Sequence, residues 1–389
     1  MSPTSPRFVF LTYSYERGVV GEVGGFRKLW ELARALAKQG GDVLVLYPRV
    51  RGQRPLAAVP SRAYPVIDAP VLRPLTAYVS MIVAAFGATR GGAGDVVYFR
   101  SSRTVLPLLL GALRGCRLVL EVNADALEYQ RLEGVGALSR ALTRWTEAVN
   151  VRFAHRIVAL TPGLRDMLVT RYGARPDVID VIPSATDPTH FKPEEARAAR
   201  RRLGLDPERP VVGFVGIFYR HQGVPTLLHA LPQLACTVPG VCALIVGDGA
   251  MRREWEGLAR RLGLDGVVRF TGQVPYADVP AYFNAMDAVV APFTADRGET
   301  SPFKILDALA CGRPVVASAI DSVRPLADET PAVVLTPPDD PDGLAKTLEG
   351  LLHDPGRRRT LGLHARALVL ARYSWDRVAA RLQESVGRA

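Results

Sequence analysis

Cysteine is scarce in this sequence. Four cysteines occur among 389 residues, and they have neither the spacing of metal ligands nor the density of a disulfide framework. We therefore expect no disulfide scaffold and no structural zinc site, and we expect each cysteine to be a small buried apolar residue. The four are Cys116, Cys236, Cys242 and Cys311.

Long apolar runs and a secretory leader are also missing. The runs Tyr78–Gly87 and Val105–Leu113 are much shorter than the ~20 residues that a helix needs to cross a bilayer. The N-terminus has no basic segment followed by a long apolar stretch and a small-residue cleavage site. This pattern predicts a cytoplasmic protein without membrane-spanning segments.

Patterns for metal and nucleic acid binding are absent as well. The six histidines are scattered without ligand spacing, and we identify no acid pair in the setting of a metal site. The basic residues are not interleaved with aromatic residues along one strip, as they are in proteins that bind single strands. We therefore expect a protein that acts without a metal or cofactor and binds no nucleic acid.

Positive charge is concentrated in the first half of the chain. Residues 1–190 hold 24 lysines and arginines against 15 acidic residues, whereas residues 191–389 hold 25 against 23. Clustered cations attract anions within a Debye length. The asymmetry fits either a basic surface that serves solubility or an anionic partner of the first half, such as a membrane surface or an acidic acceptor.

The chain length and the order of apolar segments predict two α/β domains. A chain of 389 residues exceeds what one hydrophobic core usually supports. Phe8–Tyr13 has the apolar character of a buried strand, Gly24-Gly25 opens a segment with helical spacing, and Asp42–Tyr47 follows as a second strand. This βαβ unit predicts a doubly wound parallel sheet.

A polar, proline-rich stretch between Ile182 and Pro210 predicts the domain linker. The alternation of strands and helices restarts at Val211–Val215 and continues beyond it. We therefore predict one domain at residues 1–190, a second at residues 191–372, and a terminal helix over residues 373–389.

The stretch that begins at Glu299 contains a helix with a sharp start. Ser301 is placed as its N-cap and Pro302 as its first residue. The first-turn amides and the helix dipole favour an anion, and Lys304 adds a full positive charge, so a diphosphate fits there. Glu299 and Asp307 are placed to contact a sugar and a ribose. The alternative is a surface helix with incidental acids.

This segment resembles the signature of glycosyltransferase family 4, retaining enzymes of the GT-B fold, in which two acids precede a stretch like ALACGRPVVAS at residues 308–318. The resemblance implies an α/β protein of two facing Rossmann-like, doubly wound domains. The acceptor side is then residues 1–190, the donor-binding domain is residues 191–372, and the terminal helix of residues 373–389 crosses back to the first domain.

The resemblance also implies roles for the residues of the signature. Glu299 contacts the donor sugar, and Asp307, which stands where the family usually has glutamate, binds the ribose. The diphosphate lies at Ser301, Pro302 and Phe303.

Other stretches of the second domain are similar to the family in order and spacing. The resemblance implies that Gly216 belongs to the donor-binding residues and that Val274 lies near the base. Gln222 stands where the family usually has lysine or histidine. Arg220 and Lys304 would then supply the positive charge that neutralises the leaving diphosphate without a metal.

The first domain carries weaker similarities. Gly24 and Gly25 resemble the family's phosphate-approaching glycines, although a plain tight turn needs the same residues. The stretch from Glu121 to Asp125 resembles the acceptor-side strand end, with Asn123 at the position of a frequent histidine.

One segment of the first domain has an apolar stripe at helical spacing with arginines beside it. Such a helix either lies on an anionic membrane surface or faces the core. The stripe comprises Leu138, Leu142, Trp145, Val149 and Phe153, and the arginines are Arg140, Arg144 and Arg152.

Taken with the resemblance, the sequence predicts a metal-independent hexosyltransferase that takes a sugar from a nucleotide diphosphate carrier. The expected acceptor is a cell-envelope glycan, a glycolipid or polysaccharide precursor, or another lipid-linked or small molecule. The expected location is the cytoplasm, with peripheral binding to the inner face of the cell membrane. A sugar-nucleotide epimerase on the same fold and a non-catalytic nucleotide-sugar-binding protein stay open as alternatives.

Overall fold

The computed structural model describes residues 6–13, 24–49, 59–67, 69, 72–101, 103–299, 301 and 303–388. The chain forms two folded units. The first contains Met1–Ser184, Gly298–Ser301 and Trp375–Ala389, and the second contains Ala185–Arg297 and Pro302–Ser374. The short segment Gly298–Ser301, which carries Glu299, therefore packs with the first unit.

Strands and helices alternate along the first unit. Its elements up to residue 181 are β1 (Arg7–Leu11), α1 (Gly24–Lys38), β2 (Asp42–Arg49), β3 (Ser61–Pro65), α2 (Leu72–Ala88), β4 (Asp95–Arg100), α3 (Leu108–Arg114), β5 (Arg117–Val122), α4 (Ala126–Leu132), α5 (Ala137–Phe153), β6 (Arg156–Ala159), α6 (Pro162–Tyr172) and β7 (Ile179–Val181).

These strands form a parallel sheet with the order β3-β2-β1-β4-β5-β6-β7. The inner strands are continuous apolar runs because helices cover both faces of such a sheet. Phe8, Val9 and Phe10 of β1 are fully buried, as are Val96 and Val97 of β4. The order of strands along the chain reverses between β1 and β4.

The second unit repeats this architecture. Its elements are α7 (Ala196–Arg202), β8 (Val211–Val215), α8 (Val224–Thr237), β9 (Cys242–Val246), α9 (Arg252–Arg261), β10 (Val268–Gly272), α10 (Val279–Ala285), β11 (Ala288–Ala291), α11 (Phe303–Ala310), β12 (Val315–Ser318), α12 (Arg324–Glu329), β13 (Val333–Thr336), α13 (Pro341–Leu352) and α14 (Pro355–Arg372).

The second sheet is also parallel, with the order β10-β9-β8-β11-β12-β13. Its core is built from the apolar strands and the inner faces of α8, α11 and α13. The order reverses between β8 and β11. The predicted fold class, two Rossmann-like doubly wound units as in the GT-B fold, is confirmed.

The chain ends in α15 (Trp375–Gly387), which packs on α1 of the first unit. The Nζ of Lys38 donates to the Oδ2 of Asp376 at 2.8 Å. A guanidinium nitrogen of Arg117 donates to the carbonyl oxygen of Val386, also at 2.8 Å.

One sequence expectation about the cysteines is wrong. Cys116, Cys242 and Cys311 are buried, but Cys236 is exposed, because it lies on the solvent side of α8, whose buried side is formed by residues such as Leu227, Leu231 and Leu234. Of the helices that the structure describes, none is both long and apolar enough to cross a membrane.

Candidate functional site

The candidate site of the second unit lies where the strand order reverses. In open parallel sheets, ligands bind beyond the carboxyl ends of the strands at this point. Gly216 follows β8 and Pro292 follows β11. The two loops approach closely, because a Cβ on Gly223 would lie 1.7 Å from the carbonyl oxygen of Pro292, and Gly223 has a φ of +66°.

Lys304, in the first turn of α11, reaches this point. Its Nζ donates to the Oε1 of Gln222 at 2.5 Å and lies 3.7 Å from the centroid of the Phe214 ring. A Cβ on Gly216 would lie 2.6 Å from the same nitrogen. Burial and the nearby guanidinium of Arg297 hold the pKa of Lys304 well below its usual value. The ammonium group is therefore fixed in place but poorly solvated.

Arg297 is a second cation at this site, and the sequence reasoning missed it. Its side chain is buried, and its Cζ lies 3.5 Å from the centroid of the ring of Phe293, the second residue after β11. Burial, together with the charges of Arg297 and Lys304, lowers the pKa of His221 to about 4. His221 is therefore neutral near pH 7, and the two cations lie close to it.

The other residues predicted for the donor site have the following positions. Phe303 is the first residue of α11, and Asp307 lies one turn after it and is half-buried. Arg220 is exposed on the short turn Arg220–Gln222. Val274 packs against the core of the second unit. Pro302 lies outside the described residues.

Glu299 lies in the first unit, in the segment Gly298–Ser301, where Ser301 is buried. The backbone N–H of Asp125 donates to the carbonyl oxygen of Glu299 at 3.0 Å. A Cβ on Gly163 would lie 2.7 Å from the Cδ of Glu299, so this carboxyl group rests on the first turn of α6. A helix N-terminus favours a carboxylate.

Asp125 connects this segment to two helices. Its carboxylate accepts from the backbone N–H of Glu128 at 3.1 Å and so caps α4. It also accepts two hydrogen bonds of 2.7 Å from the guanidinium of Arg171 on α6. Asp125 therefore holds together α4, α6 and the segment that carries Glu299. Asn123, the other residue noted in this stretch, is half-buried.

Glu121 belongs to a buried charge cluster at the end of β5. Its carboxylate lies 3.1 Å from the Nζ of Lys28 and 2.8 Å from the Nε of Arg100, and it accepts a hydrogen bond from Tyr98. Burial alone would raise the pKa of Glu121, but the two cations and the hydrogen bonds lower it to about 2. Burial lowers the pKa of Lys28 to about 8 despite the attraction of Glu121.

This cluster fixes the beginning of α1 against the sheet. Glu121 has no exposed surface, so contact with an acceptor does not fit its position. Gly24 and Gly25 are the first two residues of α1, one turn before Lys28.

The two cations of the second unit have the chemistry of an anion site. An ammonium in the first turn of a helix and a guanidinium near it match the charge and the oxygen geometry of a phosphate or diphosphate. Among the described residues, no group of three or more His, Cys, Asp or Glu side chains is placed to hold a metal ion.

Two family models match the chain. The one described as Glycosyltransferase Family 4 matches residues 24–190, and the one described as Glycosyl transferases group 1 matches residues 209–354. The D-inositol 3-phosphate glycosyltransferase of Segniliparus rotundus is 32% identical over 295 residues, which cover 74% of this chain and 62% of that protein. The chain spans about half to three fifths of the length of the inositol phosphate glycosyltransferases it matches.

A further relative matches along most of its length. The 2-deoxystreptamine N-acetyl-D-glucosaminyltransferase of Streptomyces fradiae is 28% identical over 394 residues, which cover 94% of this chain and 92% of that protein. Among solved structures, HepE of Anabaena in complex with UDP and glucose has a TM-score of 0.77 at 21% identity, covering 99% of this chain and all of that one. That likeness concerns the fold.

Proposed function

The chain belongs to glycosyltransferase family 4, and on this premise we propose that it transfers a sugar from a nucleoside diphosphate sugar to an acceptor hydroxyl. The observation that carries the proposal is the pair of cations formed by Lys304 in the first turn of α11 and the nearby Arg297. Within the described part of the chain, no carboxylate forms an ion pair with Lys304. A bound diphosphate would supply the opposite charge and restore the usual pKa of this lysine.

In this proposal the residues around this pair bind the phosphates, the ribose and the base of the donor. Gly216 has no Cβ, so a phosphate can come close to its backbone, and a Cβ there would collide with Lys304. The amide of Phe303 lies at the helix start, and Asp307 accepts hydrogen bonds from the ribose. Val274 borders the base.

The nucleoside is proposed to be uridine, since a structural neighbour contains UDP. Lys304 and Arg297, with the exposed Arg220, would neutralise the charge that develops on the leaving UDP, which is the largest electrostatic demand of the transfer. No metal is needed for this, and Glu299 contacts the sugar. Retention of configuration follows from the family premise.

The acceptor is proposed to be a small polyhydroxylated ring. The names of the two relatives above mention inositol 3-phosphate and 2-deoxystreptamine. Both of these compounds are cyclitols, the first anionic through its phosphate and the second cationic through its amines. The expectation of a cell-envelope glycan or a lipid-linked acceptor, and that of a cytoplasmic location, stay predictions.

Peripheral membrane binding is proposed for the surface of α5. The apolar stripe predicted there faces outward, since Leu138 and Trp145 are 87% and 57% exposed and Leu142 and Phe153 are exposed as well. An outward apolar stripe on a basic unit suits an anionic bilayer. Cosedimentation with phosphatidylglycerol vesicles at low salt tests this, and a Trp145→Ser/Leu138→Ser variant that binds equally well would exclude it.

Donor binding is the first test of the proposed function. Thermal unfolding is measured with UDP-, GDP- and ADP-glucose in the presence of EDTA, because a ligand that binds the folded state raises its stability. We expect stabilisation by UDP-glucose and loss of transfer in Glu299→Ala. No stabilisation by any donor, or full transfer by Glu299→Ala, would contradict the assignment.

A further inference from the structure

The first unit contains a basic hollow that the donor site does not use. It has a volume of about 390 Å³ and lies between α4, α5 and the end of α6. Four arginines line it, namely Arg131, Arg140, Arg144 and Arg171, together with Glu128. Arg140 and Arg144, which the sequence places beside the apolar stripe of α5, thus contribute to this hollow.

The charges of the hollow do not balance. Arg171 is paired with Asp125, and Arg131 is paired with Glu128 through contacts of 2.5 to 3.1 Å. Within the described residues, neither Arg140 nor Arg144 forms an ion pair. Two guanidinium groups on successive turns of α5 therefore face the hollow, and neither forms an ion pair with a carboxylate of the described residues. Their planar forks match the oxygens of a phosphate.

The hollow is connected to the segment that carries Glu299. A Cβ on Gly298 would lie 2.9 Å from the Cγ of Glu128, so this segment lies against one wall. Asp125, which binds Arg171 of the hollow, also holds the carbonyl oxygen of Glu299 through its backbone N–H. One wall of the hollow is thus in contact with the segment that carries the predicted sugar-contacting residue.

We propose that Arg140 and Arg144 form a binding site for the phosphate group of the acceptor. The assignment to the acceptor rests on the proposed function, whereas the binding of a phosphate ester does not. A site formed by these two arginines favours a phosphorylated acceptor over a neutral or cationic one. The phosphate ester belongs either to a soluble molecule or to a lipid headgroup, and both present the same chemistry.

The test compares a double variant with a charge-matched control. Arg140→Gln/Arg144→Gln removes the two unpaired cations of the hollow. Arg165→Gln/Arg377→Gln removes two exposed arginines elsewhere in the same unit, on α6 and α15. Binding of glycerol 1-phosphate, with glycerol as the neutral probe, is measured by calorimetry, and binding to phosphatidylcholine vesicles with and without phosphatidic acid is measured by cosedimentation.

We expect the wild type and the control to bind the phosphate ester and the hollow variant to bind it at least about tenfold more weakly, since a charge-assisted hydrogen bond exceeds the free energy of one decade. If the hollow variant loses binding only to glycerol 1-phosphate, the phosphate ester belongs to a soluble molecule. If it loses binding only to vesicles with phosphatidic acid, the phosphate ester belongs to a lipid headgroup. Equal binding by both variants, or no phosphate binding by the wild type, overturns the proposal. UDP binding, measured in parallel, reports separately on the proposed function.

Discussion

Replacing Lys304 by methionine should stabilise the free protein and weaken donor binding at the same time. The reason is that Lys304 is held beside Arg297 and over the Phe214 ring, with the amide oxygen of Gln222 as its hydrogen-bonding partner. Its depressed pKa shows that the folded state disfavours its charged form. Methionine keeps most of the side-chain volume and removes the charge.

The two effects have estimable sizes. Removing a poorly compensated charge should raise the free energy of unfolding by roughly 1 kcal/mol, which is about 2 to 4 °C in Tm for a unit of this size. Losing a charge-assisted hydrogen bond to the diphosphate should cost about 1.5 to 3 kcal/mol, or roughly 10-fold to 150-fold in the Kd of UDP.

The pH dependence has a definite sign. Between the depressed pKa of the folded state and the ordinary value of 10.5, the unfolded chain holds a proton on Lys304 that the folded chain lacks. The free energy of unfolding therefore rises with pH in that window, and UDP binding takes up a proton there.

Three measurements test this prediction. They are Tm against pH, UDP titration calorimetry, and the same titration in two buffers of different ionisation enthalpy. Arg253→Met, a change of an exposed cation on α9, is the control and should alter neither Tm nor the Kd of UDP by much. A Lys304→Met variant that is less stable and still binds UDP with wild-type affinity would refute the reasoning.

Two other substitutions address the scaffold of each unit. Glu121→Gln leaves Lys28 buried without its counterion and should cost about 3 kcal/mol; chemical denaturation should show that adding Lys28→Met recovers part of the loss. The wild type should also lose stability as the pH falls from 4.5 to about 2, because the unfolded carboxyl takes up a proton before Glu121 does, and an acid titration should show a shallower slope for Glu121→Gln. Gly216→Ala, at a φ of +154° beside Lys304, should cost about 1 kcal/mol and weaken UDP binding, whereas Gly257→Ala within α9 should slightly stabilise the protein.

The sheets were largely predictable, because buried parallel strands are continuous apolar runs. The segments predicted at Phe8–Tyr13 and Asp42–Tyr47 correspond to β1 and β2, and Val211–Val215 is β8 as predicted. The edge strand β3 was missed, since the sequence SRAYP is half polar and only its tyrosine is buried.

The orientation of α5 could not be read from the sequence. A helical apolar stripe marks one side of a helix without saying whether that side faces the core. Here the inward side is polar, and it includes Thr146 and Asn150. The amide of Asn150 donates to the carbonyl oxygen of Thr104, a contact between residues 46 positions apart.

The candidate site was predictable in part. Lys304 and Gly216, both of which the sequence analysis assigns to the donor site, lie close together, and their roles there stay predictions. Arg297 was missed because its position depends on the Phe293 ring beneath it. The packing of Glu299 on Gly163 of α6 depends on residues far apart in the chain, and helix signals do not report such contacts.

Acceptor-dependent release of UDP tests the central claim most directly. UDP-glucose is incubated with EDTA and a mixture of cyclitols, cyclitol phosphates and sugar phosphates, and both UDP and the sugar products are quantified. The account predicts UDP release that requires an acceptor and falls at least about a hundredfold in Lys304→Met, as for the removal of one electrostatic group from a transition state. Donor binding without UDP release would indicate a non-catalytic nucleotide-sugar-binding protein, and formation of an epimerised sugar nucleotide would indicate an epimerase. Either result would contradict the account.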